Sequence, residues 1–244
     1  MRTGADDPPR LVGIVPAAGY AMRLQPLSGS KEMYPIAGRP VMDHLIERLR
    51  RAGCADIRVV TRPEKTDVIA HAEGLGLTVV RAHPASVSRS LLVGLEGTDP
   101  GDVVLFGFPD TIWEPLDGFV RLLDALEEFE VALGLFLGRE PERSDVVEFA
   151  ESGLVTSVEV KPPVPKSDWI WGMAAARRRG LDVLSMHPEP GAAFNSMCRR
   201  GEVVAVPCRD RSSTSGHRRH SGRTCAGLTP DARYPSRRCR AADR

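Results

Sequence analysis

The sequence has no apolar run that approaches the roughly 18 residues of a membrane-spanning helix. Its first ten residues, MRTGADDPPR, contain no apolar segment, which disfavours a secretory signal. The five cysteines form no CxxC pair, and no His/Cys spacing typical of zinc sites occurs, so we expect neither disulfides nor structural zinc. These absences favour a cytoplasmic protein and argue against a membrane partner.

Charge is balanced over the whole chain but not along it. Residues 208–244 contain ten Arg, no Lys, three Asp and no Glu, a net charge of +7, so the whole-chain charge of +1 leaves −6 for residues 1–207. This tail has only Leu228 and Tyr234 as large aliphatic or aromatic residues, too few to offset the entropy lost on ordering. We predict a flexible leader at 1–10, a folded domain at 11–207 and a disordered Arg-rich tail at 208–244.

Strand-like and helix-like segments alternate within 11–207. Amphipathic patterns predict helices within 39–53, 66–76, 88–97 and 117–129, and apolar runs predict strands at 11–17, 57–61, 77–80, 102–108, 131–137, 145–150, 154–160, 168–176 and 202–206. Such alternation predicts an α/β fold with a mostly parallel sheet and right-handed crossovers.

The loop after the first predicted strand has the composition of a phosphate site. Ala17, Ala18 and Gly19 are small enough to let backbone N–H groups approach an anion. Arg23 and Lys31 are both suited to phosphate. The alternative is a surface loop with two solvated cations, and neither G-x-G-x-x-G nor a Walker loop is present.

The same loop resembles the signature of the sugar-nucleotide pyrophosphorylases, the nucleotidyltransferase family that includes glucose-1-phosphate thymidylyltransferases. Their loop reads G-x-G-[TS]-R-L-x-P-L-[ST], followed by Pro-Lys and by an apolar-Pro-[VI]-x-G-[KR]-P run. The matching residues are Gly19, Arg23, Leu24, Pro26, Leu27, Ser28, Lys31, Pro35, Ile36, Gly38, Arg39 and Pro40. The sequence departs from the pattern at Ala21, Met22 and Ser30.

The resemblance implies a Rossmann-like, mixed but mostly parallel sheet of the nucleotide-diphosphosugar transferase type. It also implies the Mg²⁺-dependent reaction of a nucleoside triphosphate with a sugar 1-phosphate, which releases pyrophosphate. Arg23 and Lys31 are then the catalytic residues that hold the phosphates, and Ala17, Ala18 and Gly19 bind nucleotide.

Two further blocks carry the resemblance. Asp110 follows the strand at 102–108, where the family has its Mg²⁺-binding Asp; the alternative is a helix-capping Asp. Lys161 matches the family's Lys-Pro, although Val160 replaces the preceding Glu and Glu159 stands one position earlier.

By the same resemblance, Lys161 contacts the sugar phosphate. The resemblance also implies that Glu159 or Glu148 contacts sugar hydroxyls. The alternative for Glu159 is that it is an exposed strand residue without a role in binding. Strand alternation places Glu159 and Lys161 on one face. Gly172, after Trp171, matches the glycine beneath the sugar.

Several functional alternatives stay open. The acceptor could be another phosphorylated compound, such as a polyol phosphate or a cofactor precursor. The chain could instead be a non-catalytic remnant that binds nucleotide without turnover. Only the Arg-rich tail would support a function in nucleic-acid binding. Because the tail contains one aromatic residue and no Lys, we predict no nucleic-acid partner. The base, the sugar and the formation of a homo-oligomer are not indicated by the sequence.

The tail itself suggests a change of reading frame. The family continues with a last strand and an Asp-[IV]-Gly-Thr-Pro motif whose Asp is a second Mg²⁺ ligand, and nothing in 208–244 spells it. If 213–218 is written TCN ACN TCN GGN CAY CGN and read from the third base, the new codons permit Asp-Val-Gly-Thr-Pro. We therefore hypothesise that the domain has lost its C-terminal part to an out-of-frame segment; a natural disordered arm is the alternative.

Sequencing the gene tests this hypothesis. We expect a one-base change near the codons for Pro207 to Arg209, relative to a frame that encodes the Asp-Val-Gly-Thr-Pro motif. An intact gene whose codons in the shifted frame do not spell the motif would contradict it.

Overall fold

The structure, a computed structural model, describes residues 9–20 and 29–208. The helices are α1 (Val41–Arg51), α2 (Thr66–Gly74), α3 (Val87–Gly94), α4 (Gly118–Ala125) and α5 (Pro190–Cys198), with 3-10 helices at Lys31–Met33, Pro141–Arg143 and Arg178–Met186. The strands are β1 (Leu11–Pro16), β2 (Pro35–Ile36), β3 (Arg39–Pro40), β4 (Asp56–Thr61), β5 (Thr78–Arg81), β6 (Val103–Gly107), β7 (Val131–Leu137), β8 (Asp145–Phe149), β9 (Val155–Val160), β10 (Trp169–Arg177) and β11 (Val203–Pro207).

One large sheet contains all the strands except the β2–β3 pair. Its order is β11-β7-β10-β6-β1-β4-β5, and the β8–β9 hairpin joins it through β10. Strands β1, β4, β5 and β6 pair in parallel, as do β7 and β11, whereas β10 is antiparallel to both β6 and β7. The predicted fold class, a mixed and mostly parallel α/β sheet, is therefore confirmed.

Helices cover both faces of the sheet. Along each central strand, consecutive side chains enter opposite cores: Val15 and Leu105 pack with α1, α2 and α4, whereas Ile14 and Phe106 pack with α3 and α5. Burial on both faces explains why these strands are nearly continuous apolar runs rather than alternating ones. In the described part of the chain, no helix has the length and apolarity needed to cross a membrane.

Two elements near the C-terminal end escaped sequence-based prediction: the 3-10 helix at 178–186 and α5. The first reads RRGLDVLSM, and its buried residues are Leu181 and Leu184, which lie three positions apart, the spacing of one 3-10 turn. The second reads PGAAFNSMC, with Gly and Asn that are poor helix formers and few large apolar residues. Helix α5 begins at its Pro, a position where the absent N–H costs nothing.

The folded region also differs slightly from its predicted limits. Cys208, assigned to the tail by composition, is buried, and its N–H donates to the Leu135 carbonyl at 2.8 Å. Arg10, assigned to the leader, donates from Nη2 to Asp102 Oδ2 at 2.7 Å. The leader at 1–8 and the tail from residue 209 onward lie outside the described residues.

Met173, in the central strand β10, is enclosed by two glycines. A Cβ at residue 134 in β7 would lie 2.5 Å from Met173 Cγ, and a Cβ at residue 118 in α4 would overlap Met173 Cε. Met173 itself is completely buried. The side chain therefore fills space that exists only because both neighbours lack a Cβ.

We expect Gly134→Ala to lower the free energy of unfolding by about 1–3 kcal/mol, because the added Cβ would lie 2.5 Å from Cγ of the completely buried Met173 and force it to shift. The matched control is Gly74→Ala at the end of α2, where an added Cβ meets no atom within 4 Å. That change should be neutral or stabilising by up to about 1 kcal/mol. Denaturant titration of both variants provides the measurement, and equal effects would contradict this packing.

Candidate active site

The strand directions bring the predicted site residues to one edge of the sheet. The carboxyl ends of β1 and β6 are adjacent because these strands are parallel neighbours. Strand β10 runs the other way, so its amino end lies there too, with Met173 opposite Gly107. Ligands in open α/β sheets bind at the carboxyl ends of the parallel strands. The segments around Gly19, Asp110 and Gly172 therefore share the edge at which a ligand is expected.

Lys31 and Asp110 form an ion pair at this edge. Lys31 Nζ donates to Asp110 Oδ2 at 2.7 Å, and 21% and 33% of the two side chains are exposed. Burial lowers the pKa of Lys31, but the charge of Asp110 and their hydrogen bond outweigh burial, so the pKa is raised overall. Lys31 also lies beside Gly19, where a Cβ would be 3.9 Å from Nζ. The structure thus brings together three residues that are far apart in sequence.

The turn that carries Lys31 is attached to the start of α2 by residues on both sides of Lys31. Ser30 donates from its N–H and its hydroxyl to the Asp67 carboxylate, both at 2.8 Å. Burial raises the pKa of Asp67, but the hydrogen bonds from Ser30 and from backbone N–H groups at the start of α2 together outweigh burial, so the pKa is lowered overall. Glu32 is fully buried and accepts from Lys65 Nζ at 2.8 and 3.0 Å. Burial raises the pKa of Glu32 despite the opposing charge of Lys65.

Of the three small residues after β1, Ala17 already uses its N–H group, which donates to the Val60 carbonyl at 2.8 Å. The Ala17 carbonyl accepts from Lys65 Nζ and the Ala18 carbonyl from Arg62 Nε, each at 2.8 Å. Within residues 9–20 and 29–208, no acceptor is found for the N–H groups of Ala18 and Gly19. Free backbone N–H groups at such a turn are the usual ligands of an anion.

Arg62 makes a second group of contacts beside the same loop, which sequence patterns did not indicate. Its guanidinium carbon lies 3.9 Å from the centre of the Tyr20 ring, a cation–π contact. Its Nη1 is 3.0 Å from His83 Nδ1. Tyr20 is 59% exposed, so one aromatic surface remains open to solvent.

Lys161 lies in a separate group of charged residues near the amino end of β10. Its Nζ is 3.7 Å from Glu189 Oε1. Asp145 accepts from the Trp171 indole at 3.2 Å and contacts Gly191 at the start of α5. Burial raises the pKa of Asp145, although the Trp171 hydrogen bond and the Lys161 charge oppose the shift. No prediction from sequence included Asp145, because β8 by itself shows no sign of proximity to Lys161.

Glu159 and Lys161 do not contact the same partner. Strand β9 ends at Val160 and Lys161 has φ of 45°, so strand alternation does not extend to Lys161. Glu159 instead accepts from Lys166 at 2.6 Å. This corrects the expectation from strand alternation that the two side chains lie on one face.

Glu148 and Gly172 are both engaged within the protein. Glu148 accepts from the Ser157 hydroxyl at 2.8 Å. Gly172 lies at an irregularity of β10 and packs against the Phe136 ring, which a Cβ would approach to 3.2 Å. The remaining predicted residue, Arg23, lies outside the described residues.

Comparisons with known proteins agree on one family. The family model of the MobA-like NTP transferase domain matches residues 13–159, more than half of the chain. Glucose-1-phosphate thymidylyltransferases of Neisseria gonorrhoeae and Streptomyces griseus are 30% and 29% identical over 167 and 170 residues. Each match covers 64% of this chain, and 58% and 46% of the respective relative. The chain thus spans about half the length of these relatives.

A solved structure shows the same fold. A Bacillus anthracis protein assigned as a glucose-1-phosphate thymidylyltransferase, crystallised in complex with a sucrose, superposes with a TM-score of 0.70. The superposition covers 81% of this chain and 86% of that one, at 19% identity. The family match, together with the sheet topology, leads to one conclusion: the chain belongs to the family of MobA-like NTP transferase domains.

Proposed function

We propose that the chain is a nucleotidyltransferase that joins a nucleoside triphosphate to a sugar 1-phosphate and releases pyrophosphate. The observation that carries this proposal is the contact between Lys31 and Asp110 beside Gly19, where β1 and β6 end. The names of the curated relatives support a sugar 1-phosphate as acceptor.

In the proposed reaction, an oxygen of the sugar phosphate attacks the α-phosphorus in line. The bond from that phosphorus to the β-phosphate oxygen breaks, and pyrophosphate leaves with the electron pair. No covalent bond to the protein forms, so the side chains act by position and charge. The N–H groups of Ala18 and Gly19 bind the phosphates, and Lys31 neutralises charge at the reacting centre. Arg23 is assigned to the triphosphate by its motif, and Lys161 to the attacking phosphate.

Asp110 fits a magnesium ion that arrives with the phosphates. One carboxylate oxygen accepts from Lys31, whereas Oδ1 has no hydrogen-bond partner within the part of the chain that the structure describes. In the same residues, no group of three or more His, Cys, Asp or Glu side chains could hold a metal. Mg²⁺ is commonly held by one or two carboxylates together with phosphate oxygens. When bound, it would neutralise charge on the phosphates.

A second candidate acceptor is a phosphorylated compound other than a sugar 1-phosphate. Val160 stands where the family has Glu, and the nearby Glu159 is paired outward with Lys166 at 2.6 Å. The first leaves no carboxylate at that position and the second gives the neighbouring carboxylate another partner, so the contacts to the acceptor need not match those made to a sugar ring. Comparing kcat/KM for sugar 1-phosphates with kcat/KM for polyol phosphates separates the two acceptors.

The central test is pyrophosphate release by the purified chain with Mg²⁺, a panel of nucleoside triphosphates and the acceptors above. We expect Lys31→Ala and Asp110→Asn each to reduce turnover more than about tenfold without unfolding, because each removes a charge at the reacting centre. The control is Glu130→Gln, which breaks an ion pair to Arg179 at the amino end of β7, away from the site. Its turnover should be unchanged.

Three outcomes separate the alternatives. Near-normal turnover in both site variants would contradict the assignment of Lys31 and Asp110. A melting shift induced by nucleotide without any pyrophosphate release would identify a binding protein without catalysis. Neither a melting shift nor pyrophosphate release with any triphosphate would refute the proposed function altogether.

A further inference from the structure

We propose that Glu32 and Lys65 form a buried ion pair whose role is to position Lys31, an inference that rests on the transfer reaction proposed above. Neither residue was singled out by the sequence. Both lie directly behind the edge of the sheet that holds Lys31 and Asp110, and neither is assigned a role in that reaction.

Lys65 is placed to hold protein groups rather than a substrate. Its ammonium makes three hydrogen bonds, to Glu32 Oε1 at 3.0 Å, to Glu32 Oε2 at 2.8 Å and to the Ala17 carbonyl at 2.8 Å. A lysine ammonium has only three donors, so all of them are used. Its side chain is 12% exposed and that of Glu32 is not exposed at all. A phosphate would have to break these bonds to bind Lys65.

The pair connects three segments that meet at the site. Ala17 follows β1, Glu32 belongs to the 3-10 turn that carries Lys31, and Lys65 immediately precedes α2. The Lys65 ammonium therefore fixes the distance between Ala17, where the loop after β1 begins, and the 3-10 turn that carries Lys31. Ser30, held by Asp67 through two hydrogen bonds of 2.8 Å, attaches the same turn to α2 on the other side of Lys31.

The geometry of the turn explains how fixing Glu32 directs Lys31. In a 3-10 helix of three residues per turn, neighbouring side chains project about 120° apart. With the carboxylate of Glu32 held in the interior, Lys31 cannot also point inward and projects to the edge. Its Nζ is there 2.7 Å from Asp110 Oδ2.

A buried ion pair is poorly suited to a purely stabilising role. Removing two charges from water costs free energy that their attraction only partly returns, and apolar residues of similar volume often stabilise as well or better. The pair instead fixes an orientation. Three hydrogen bonds from the Lys65 ammonium define the positions of the groups that accept them, whereas apolar contacts would not. We therefore expect an apolar replacement of the pair to lower the activity without lowering the stability to the same extent.

The test compares an apolar replacement of the pair with a control substitution in an ion pair at the opposite ends of the parallel strands. The double variant Glu32→Leu/Lys65→Met should keep the melting temperature close to that of the unmodified chain. Its kcat for pyrophosphate release should fall by about tenfold or more, with a smaller change in KM for the triphosphate, because Lys31 is misplaced in the transition state. The control is Asp102→Asn at the amino end of β6, which weakens the hydrogen bond that the Asp102 carboxylate, 5% exposed, accepts from Arg10.

We expect the control to melt at a lower temperature but to keep its kcat when assayed well below that temperature. If kcat in the double variant is unchanged, or if it falls only in proportion to lost stability, the pair has no positioning role. The single variant Glu32→Gln should lose both activity and stability, because Lys65 then lacks its counter-charge in the interior.

A second measurement does not depend on turnover. The rate at which an acylating reagent modifies Lys31 at pH 8, followed by mass spectrometry, reports how closely its amine is held by Asp110. We expect this rate to rise severalfold in the double variant and to stay unchanged in Asp102→Asn. An unchanged rate in the double variant would overturn the inference. If the unmodified chain releases no pyrophosphate, the proposed function fails, whereas this rate still decides whether the pair positions Lys31.

Discussion

Strand β10 is the connection on which the rest of the structure depends. It hydrogen-bonds to β6 on one side and to β7 on the other, so it joins the β6-β1-β4-β5 half of the sheet to the β7-β11 half. Because β10 runs against both neighbours, its amino end lies among the carboxyl ends of the parallel strands. The β8–β9 hairpin, attached through β10, reaches the same edge and brings Asp145 and Lys161 with it.

The close packing around β10 follows from small residues. Ala174, Ala175 and Ala176 are completely buried, and Met173 occupies the space beside Gly134 and Gly118. Short side chains allow helices on both faces to approach the middle of the sheet. The rigid centre in turn gives the loops at the edge fixed starting points, which is what a site that acts by position requires.

Electrostatics at that edge are arranged in two layers. In front, Lys31 and Asp110 are partly exposed and carry opposite charges 2.7 Å apart. Behind them, Glu32 and Lys65 are almost completely withdrawn from water, and their bonds are made within the protein. The difference in exposure separates an ion pair that solvent reaches from one whose bonds are closed to it.

Much of this was determined by the sequence: the positions of the strands, the class of the sheet, and Gly19, Lys31 and Asp110 as candidates, because apolar runs and short motifs are local signals. Other features depend on contacts between distant segments. Lys65 before a short helix and Asp145 at the start of a strand have no local pattern that marks them, and α5 is too poor in large apolar residues to be recognised. Only the tertiary structure could decide that Lys31 meets Asp110, that Glu159 turns away to Lys166, and that Cys208 belongs to the fold. The physical reason is that hydrogen bonds and burial between residues far apart in the chain exist only after the sheet has been assembled.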